Sequence, residues 1–236
     1  MEKVIDHFLY ALDLHENNAI VVYSPTLADQ IPMSHAANAF MIFQQALHQL
    51  ELIRLCALWD TPAIDNECIP TVIELIDHPD VMAALVQETR SQHASVQPAI
   101  LKPESDREIV NLMADAIKQE NERFANEQAA HARLQLSEAI TEARSIMVSD
   151  KLKSLMNLRH KLAHATSQTR QEKKAASQIA PVRYGDEREI LTATCPLVEK
   201  LYCWINGTSF SVADSREIDR QNAHALWGGC RFDVLC

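Results

Sequence analysis

Apolar residues recur every three to four positions along most of this chain, and that spacing places them on one face of an α-helix. Together with the breaks at proline and glycine, it predicts helical segments at about 1–20, 34–58, 69–77, 80–95, 104–148, 150–165, 186–206 and 211–226. Only 4 glycines occur and runs of β-branched residues are few, so helix is favoured over sheet. The sequence therefore predicts an all-α fold.

Boundary signals indicate where several of these helices begin and end. Ser34 is placed to cap the second segment, and Gly207 to end the seventh in the left-handed conformation that glycine favours. Asp186 is expected to cap the seventh helix, and Asp214 or the residue after it the last one. We expect Pro196 to kink the seventh helix or to start a new one, because proline lacks the N–H donor and clashes with the preceding turn.

The segment 104–148 is the most polar long part of the chain, and its charges fit a partly solvated surface. It predicts either one long helix or a helical hairpin, which docks on the remaining helices or projects from them. A chain of 236 residues allows one large domain or two small ones. We expect a single domain over residues 1–236.

Composition narrows the class of protein. The first residues lack the basic and then apolar stretch of a signal peptide, and no run approaches the roughly 20 apolar residues of a membrane span. We therefore expect a cytoplasmic protein with no membrane partner. Its 6 cysteines show no zinc-ligand spacing and are expected to be free thiols. A net charge of −10 argues against binding of nucleic acid over the whole surface but allows a local basic site.

One stretch of this acidic chain is basic. Residues 151–174 hold a single acid, Glu172, and seven basic side chains: Lys151, Lys153, Arg159, Lys161, Arg170, Lys173 and Lys174. Such a stretch is a candidate phosphate-binding surface, and its plainer interpretation is a solvated helix face with a charged tail. Among these side chains, we expect Lys153, Lys161 and Arg170 to contact a nucleic-acid substrate.

Two histidines in this stretch are candidates for acid–base chemistry. His160 and His164 are four residues apart and so lie on one face of a helix. A zinc-protease motif needs glutamate directly after the first histidine, where this chain has Lys161, and no further ligand lies close by. We therefore expect no metal and no other cofactor.

Metal-free cleavage of RNA by its own 2′-hydroxyl suits these residue types. An imidazole can deprotonate the hydroxyl or protonate the leaving oxygen, and the guanidinium of Arg159 can neutralise charge on the phosphate. Arg159 and His164 point about 140° apart on a straight helix, however. They converge only if the helix ends or distorts between them, or if a two-fold homodimer shares the site.

The residues Arg159-His160-Lys161-Leu162-Ala163-His164 resemble the arginine, polar residue, short spacer and histidine signature of the HEPN superfamily. Further marks are similar to the opening of the AbiU-type abortive-infection subfamily: Ala39-Phe40, Phe43-Gln44-Gln45-Ala46-Leu47, Leu58-Trp59-Asp60-Thr61 and Ile69-Pro70. These marks span residues 34–170, which is most of the chain.

The resemblance implies a HEPN-like helical bundle with additional long helices, and a homodimeric, metal-independent endoribonuclease that serves as a toxin or phage-defence component. Arg159 and His164 would be the catalytic pair, and His160 would orient them or touch RNA. A cognate antitoxin protein would be a further partner. HEPN toxins silenced by nucleotide transfer carry a tyrosine two residues after the histidine, where this chain has Thr166, so that form of control is not expected.

Two alternatives remain open at this level. In the first, a non-catalytic helical module of the same fold binds RNA, a nucleotide or a protein through the basic helix. In the second, the chain is a structural dimerisation unit, and its basic stretch would tolerate reversal of charge.

Overall fold

The computed structural model describes residues 1–94, 107–164, 168–169, 172–173 and 179–233, with the side chains of 107–110 left aside. Its α-helices are α1 (Glu2–Val21), α2 (His35–Leu58), α3 (Ile69–Ile76), α4 (Pro79–Ala94), α5 (Arg107–Met147), α6 (Asp150–His164), α7 (Asp186–Asn206) and α8 (Val212–Trp227). One 3₁₀ turn precedes α2, at Ala28–Gln30. The described residues contain no strand, so the prediction of an all-α fold is confirmed.

The main core lies where α1, the second half of α2, α3, α5, α6 and α7 meet. Each of these helices turns one apolar face inward, as the spacing of its apolar residues predicts. The largest fully buried side chains of this core are aromatic and aliphatic: Phe8, Leu12, Leu52, Leu55, Leu58, Ile69, Leu136, Leu155, Leu197 and Leu201. α2 and α6 pack directly against each other, and α7 contacts both. The basic stretch predicted on α6 is therefore mounted on a packed core.

Helix ends follow the predicted signals in part. The Ser34 hydroxyl caps α2 by accepting from the Ala37 amide at 3.3 Å. Gly207 ends α7 with φ +67°, the left-handed conformation that favours glycine. Pro196 lies inside α7, so it starts no new helix.

Two predicted caps were wrong by one to four residues. The residue before α7 is Gly185, with φ +97°, and Asp186 is already helical, with its carboxylate accepting from the Arg183 amide at 2.7 Å. The cap of α8 is Ser211, whose hydroxyl accepts from the Asp214 amide at 3.2 Å. The Asp186 carboxylate reaches back to an earlier amide and the Ser211 hydroxyl reaches forward to a later one, and local composition alone does not locate either contact.

α5 is one continuous helix from Arg107 to Met147, and no hairpin divides it. It packs against α4 and α7, with smaller contacts to α3 and α6. Small side chains line its buried face: Ala125, Ala129, Ala132, Ala139 and Ala143. Over 111–124 its side chains are exposed or half-buried, so the first part of this helix extends beyond the core. A single domain over residues 1–236 stays a prediction.

Two further findings concern the class of protein. No helix in the described part of the chain is both long enough and apolar enough to cross a lipid bilayer. The five cysteines within the described ranges are all free thiols, and two of them, Cys56 and Cys68, are buried.

Candidate active site

α6 carries the predicted catalytic residues and runs without a break through His164. The helix therefore neither ends nor distorts between Arg159 and His164, and at 100° per residue their side chains leave it about 140° apart. Arg159 pairs with Asp60, and His164 meets the ring of His160. A helix end or distortion between Arg159 and His164, one of the two ways in which they could meet at one phosphate, therefore does not occur.

Arg159 is held in place by Asp60, the residue that follows α2 and Trp59. Its Nη1 donates to Asp60 Oδ2 at 2.9 Å, and the Arg159 side chain is 21% exposed. A hydrogen bond to one carboxylate oxygen leaves the other side of the planar guanidinium fork for a second anion. The ion pair therefore fixes the direction of Arg159 and does not by itself prevent it from binding phosphate.

The end of α2 is anchored on its own side as well. Trp59 is buried and its indole N–H donates to Thr194 Oγ1 of α7 at 3.1 Å. Cys68 Sγ donates to the Asp60 carbonyl at 3.4 Å. Arg159 therefore pairs with a residue, Asp60, whose position is fixed by contacts with α7 and with the residue before α3.

Partial burial raises the pKa of Asp60, but the hydrogen bonds from Arg159 and the Thr61 amide outweigh it, and the charges of Arg159 and His160 act in the same direction. The pKa of this carboxyl is therefore below its usual value. Asp60 is a carboxylate at neutral pH and holds a permanent ion pair with the guanidinium.

His160 and His164 form an imidazole pair on another face of α6. Their ring centroids are 6.4 Å apart and the rings meet edge to face at 78°. His160 is half-buried and His164 is exposed. Lys153, also exposed, lies within about 40° of both around the helix axis. This face offers two imidazole rings, a residue type used for general acid–base catalysis, beside a cation.

Lys161 is engaged by a segment that follows α6. Its Nζ lies 2.6 Å from Glu172 Oε1, and Asn157 donates to that same oxygen at 2.8 Å. The Thr169 amide donates to Glu172 Oε2 at 3.1 Å, and the Thr169 hydroxyl donates to Asn157 Oδ1 at 2.5 Å. The hydrogen bond from Lys161, followed by those from Asn157 and Thr169, lowers the pKa of Glu172 to about 2. This acid stays ionised and neutralises Lys161.

The match to a known family covers almost the whole length of the helical bundle. A family model described as AbiU2, of the HEPN type, matches residues 2–226. The chain belongs to the HEPN_AbiU2 family. No curated protein and no solved structure matches it significantly. The resemblance to AbiU-type abortive-infection proteins, drawn from the α2 and α6 motifs, is confirmed.

In this HEPN_AbiU2 protein the basic stretch is largely paired within the chain. Lys151 pairs with Glu189 of α7, Lys153 lies 3.3 Å from Asp150, and Arg159 and Lys161 pair with Asp60 and Glu172. Thr166, Arg170 and Lys174 lie outside the described residues. The free basic surface suggested by composition is reduced, because acids from distant segments fold onto it.

Asp60 is one of the family marks in the sequence, but its contact with Arg159 was not predicted, and neither were the roles of Asn157, Thr169 and Glu172. Asp60 and Arg159 are 99 positions apart, so no local spacing reveals the pair. One feature of the sequence could have indicated a role for Glu172, because it is the single acid in a basic stretch. For metals, the described residues contain no group of three or more His, Cys, Asp or Glu side chains that could hold an ion.

Proposed function

We propose that this HEPN_AbiU2 protein is a metal-independent endoribonuclease that acts as a toxin or phage-defence component, and that Arg159 and His164 cleave RNA at a homodimer interface. The observation that carries the proposal is the accessible imidazole pair, His160 and His164, on the helix that also fixes Arg159 against Asp60. Membership of an abortive-infection family supports the biological role.

The chemistry follows from the groups on α6. One imidazole takes the proton of the RNA 2′-hydroxyl as its oxygen attacks the adjacent phosphorus, and a second protonates the departing 5′-oxygen. The guanidinium of Arg159 neutralises the charge that develops on the phosphate oxygens. His164, the more exposed imidazole, is assigned proton transfer, and His160 orients it or contacts RNA.

A two-fold homodimer supplies what one protomer lacks. Arg159 and His164 lie on different faces of α6, so a phosphate at Arg159 of one protomer would meet His164 of the other. The same symmetry doubles the number of basic side chains near the substrate, with Lys153, Lys161 and Arg170 as the RNA contacts.

The direct test is cleavage of single-stranded RNA in the presence of a chelator. We expect cleavage by the native protein, and a loss of about a hundredfold or more in His164→Ala, because general acid–base catalysis contributes about that much. His35→Ala is the matched control, since His35 is an exposed histidine at the start of α2, remote in sequence from the motif. Equal cleavage by the native protein and His164→Ala would contradict the role of His164.

A second function is favoured by the pairing of the basic side chains. Because Arg159 and Lys161 are both engaged by carboxylates, a non-catalytic module that binds RNA, a nucleotide or a protein through α6 is the alternative. RNA binding without turnover, at protein concentrations where the dimer is shown to form, would favour this module over the nuclease.

A further inference from the structure

On α2, which the structure describes throughout, no exposed residue is an Asp, Glu, Lys or Arg. The helix contains only two such residues, Glu51 and Arg54. Glu51 is buried, and the half-buried Arg54 places its guanidinium 4.9 Å from the centroid of the Tyr10 ring. Surface helices normally present charged residues to solvent, and contiguous exposed apolar surface marks a contact with another molecule. The outer side of α2 therefore needs an explanation.

The apolar residues on this side form one line along the helix. This line, the α2 stripe, consists of Ala39, Phe43, Ala46, Leu50, Ile53 and Ala57. At 100° and 1.5 Å per residue, these positions lie within an arc of about 80° and extend over about 27 Å. All of them are exposed except Leu50, which is half-buried. Ile42, at the edge of the stripe and 59% exposed, widens this apolar surface.

An apolar cleft of about 620 Å³ opens beside the first half of the stripe. Ala39 and Phe43 line it from α2, together with Phe40, Trp227 and Phe232. The Phe40 and Phe232 rings meet at a centroid distance of 5.2 Å. Because Ala39 and Phe43 belong to both the cleft and the stripe, the two form one continuous apolar surface with space for a large side chain from another molecule.

We propose that the α2 stripe binds the same stripe of a second copy of this chain, with the two helices antiparallel. Successive stripe residues are 4, 3, 4, 3 and 4 positions apart, an order that is the same in both directions about His48. A two-fold axis at this point places Ala46 opposite Leu50 of the second copy, so that a small side chain faces a large one. It also places Phe43 opposite Ile53 of the second copy, which then faces the cleft.

Charge favours a second copy over other occupants. Two copies with a net charge of −10 each repel one another, and this repulsion is smallest where neither surface presents a charge. A lipid surface is usually bound through Lys and Arg beside the apolar side chains, and the outer side of this fully described helix has neither. A different protein is commonly selected through complementary charges, whereas the symmetric spacing of the stripe matches the stripe itself.

This contact is separate from the α6 homodimer of the proposed function. Asp60 lies twelve positions after His48, so two antiparallel copies hold their Asp60 residues about 36 Å apart along the helix direction. The two Arg159–Asp60 pairs are then at opposite ends of the paired helices and do not share a phosphate. An assembly that uses the stripe alone has two copies, and one that also uses α6 has four.

The test is the molar mass of the full-length protein, measured by light scattering after size-exclusion chromatography over a wide range of protein concentration. Ala46→Glu should halve this mass, because it buries two carboxylates near the two-fold axis. Ala46 is exposed in the protomer, so the fold itself tolerates the change. Met41→Glu is the matched control and should leave the mass unchanged, since Met41 is 56% exposed but lies about 140° around the helix from Ala46.

The factor of two is expected for an assembly of two or of four copies, so it does not depend on the α6 contact. Cleavage of RNA by the same samples tests the proposed nuclease independently. Circular dichroism verifies that each variant is folded. A native protein that is monomeric at every concentration, a mass that Ala46→Glu leaves unchanged, or an equal fall with Met41→Glu would overturn the proposal.

Exchange of charges tests the direction of the paired helices. Phe43→Glu and Ile53→Lys, both at exposed positions, should each lower the mass, and a mixture of the two should restore it. The antiparallel arrangement places the introduced carboxylate of one copy opposite the introduced ammonium of the other. A mixture of Phe43→Glu with Phe43→Lys should stay dissociated, and restoration by this second mixture in place of the first would overturn the antiparallel contact.

Discussion

At the scale of single residues, the Arg159–Asp60 ion pair links the middle of α6 to the end of α2. The guanidinium is mostly buried and the carboxylate is 40% exposed, so solvent screens the pair only in part. An arginine fixed in this way loses little conformational freedom when it binds phosphate, which is what a preorganised charge-stabilising group requires. Asp60 is therefore a positioning residue for Arg159.

Asp60→Asn should lower the free energy of unfolding by about 1 kcal/mol at pH 7, because it removes a partly exposed ion pair. The pKa of Asp60 is lowered in the folded state, so its contribution is complete above the ordinary value of about 4 and disappears as the pH falls through the lower folded value. Urea unfolding at pH 7 and at about pH 2.5 measures this difference. Asp65→Asn, at an exposed loop carboxylate, is the control, and an equal effect of Asp60→Asn at both pH values would contradict the prediction.

At the scale of elements, α6 combines structural and functional faces. Leu152 and Leu155 point into the core, Arg159 continues toward α2, and the histidines face another direction. Thr169 and Glu172, which follow α6 in the sequence, contact Asn157 and Lys161. The Lys161–Glu172 ion pair therefore lies beside the face that presents His160 and His164. A substitution could remove this ion pair without changing the core.

Glu172→Gln should release Lys161 and strengthen the binding of single-stranded RNA. One added phosphate contact should steepen the dependence of log K on log salt by about 0.7, the value for single strands. Fluorescence anisotropy with His164→Ala as the background prevents cleavage during the titration. Glu189→Gln, which frees Lys151 at the other end of α6, is the comparison, and a salt slope unchanged by Glu172→Gln would remove Lys161 from the RNA contacts.

Leu155→Ala should destabilise the bundle by about 2–5 kcal/mol, because this side chain is fully buried between α6 and its neighbours and its loss leaves a cavity. Leu162→Ala, on the same helix but 36% exposed, should cost less than about 1 kcal/mol. Chemical denaturation measures both values. Similar losses for the two variants would mean that α6 is not docked on the core in the way described.

At the scale of the whole molecule, charge and symmetry decide how RNA could be bound. The net charge of −10 disfavours a polyanion over most of the surface, so binding depends on the local basic side chains of α6. Four of these side chains are already paired with acids. In the homodimer that we propose, Arg159 of one protomer and His164 of the other would contact the same phosphate, which the two side chains of a single protomer do not achieve.

Mixing Arg159→Ala with His164→Ala protein should therefore restore RNA cleavage. In the mixed dimer one of the two shared sites has both native side chains, so random exchange should return about a quarter of the native sites. Each variant alone should remain inactive, and size-exclusion chromatography with light scattering verifies that subunits form dimers. Formation of mixed dimers without any recovery of RNA cleavage would contradict a site shared between protomers.

The helices, their order and the family were predictable from the sequence, because apolar spacing acts over a few positions and the α2 and α6 motifs are contiguous. It also located Arg159, His160 and His164 on one helix and predicted the angle that separates them. The partners of these residues, by contrast, depend on the packing of the folded bundle. Asp60 meets Arg159 from 99 positions away, and Trp59 meets Thr194 from 135 positions away, because packing of the helices, which no local pattern encodes, brings such residues together.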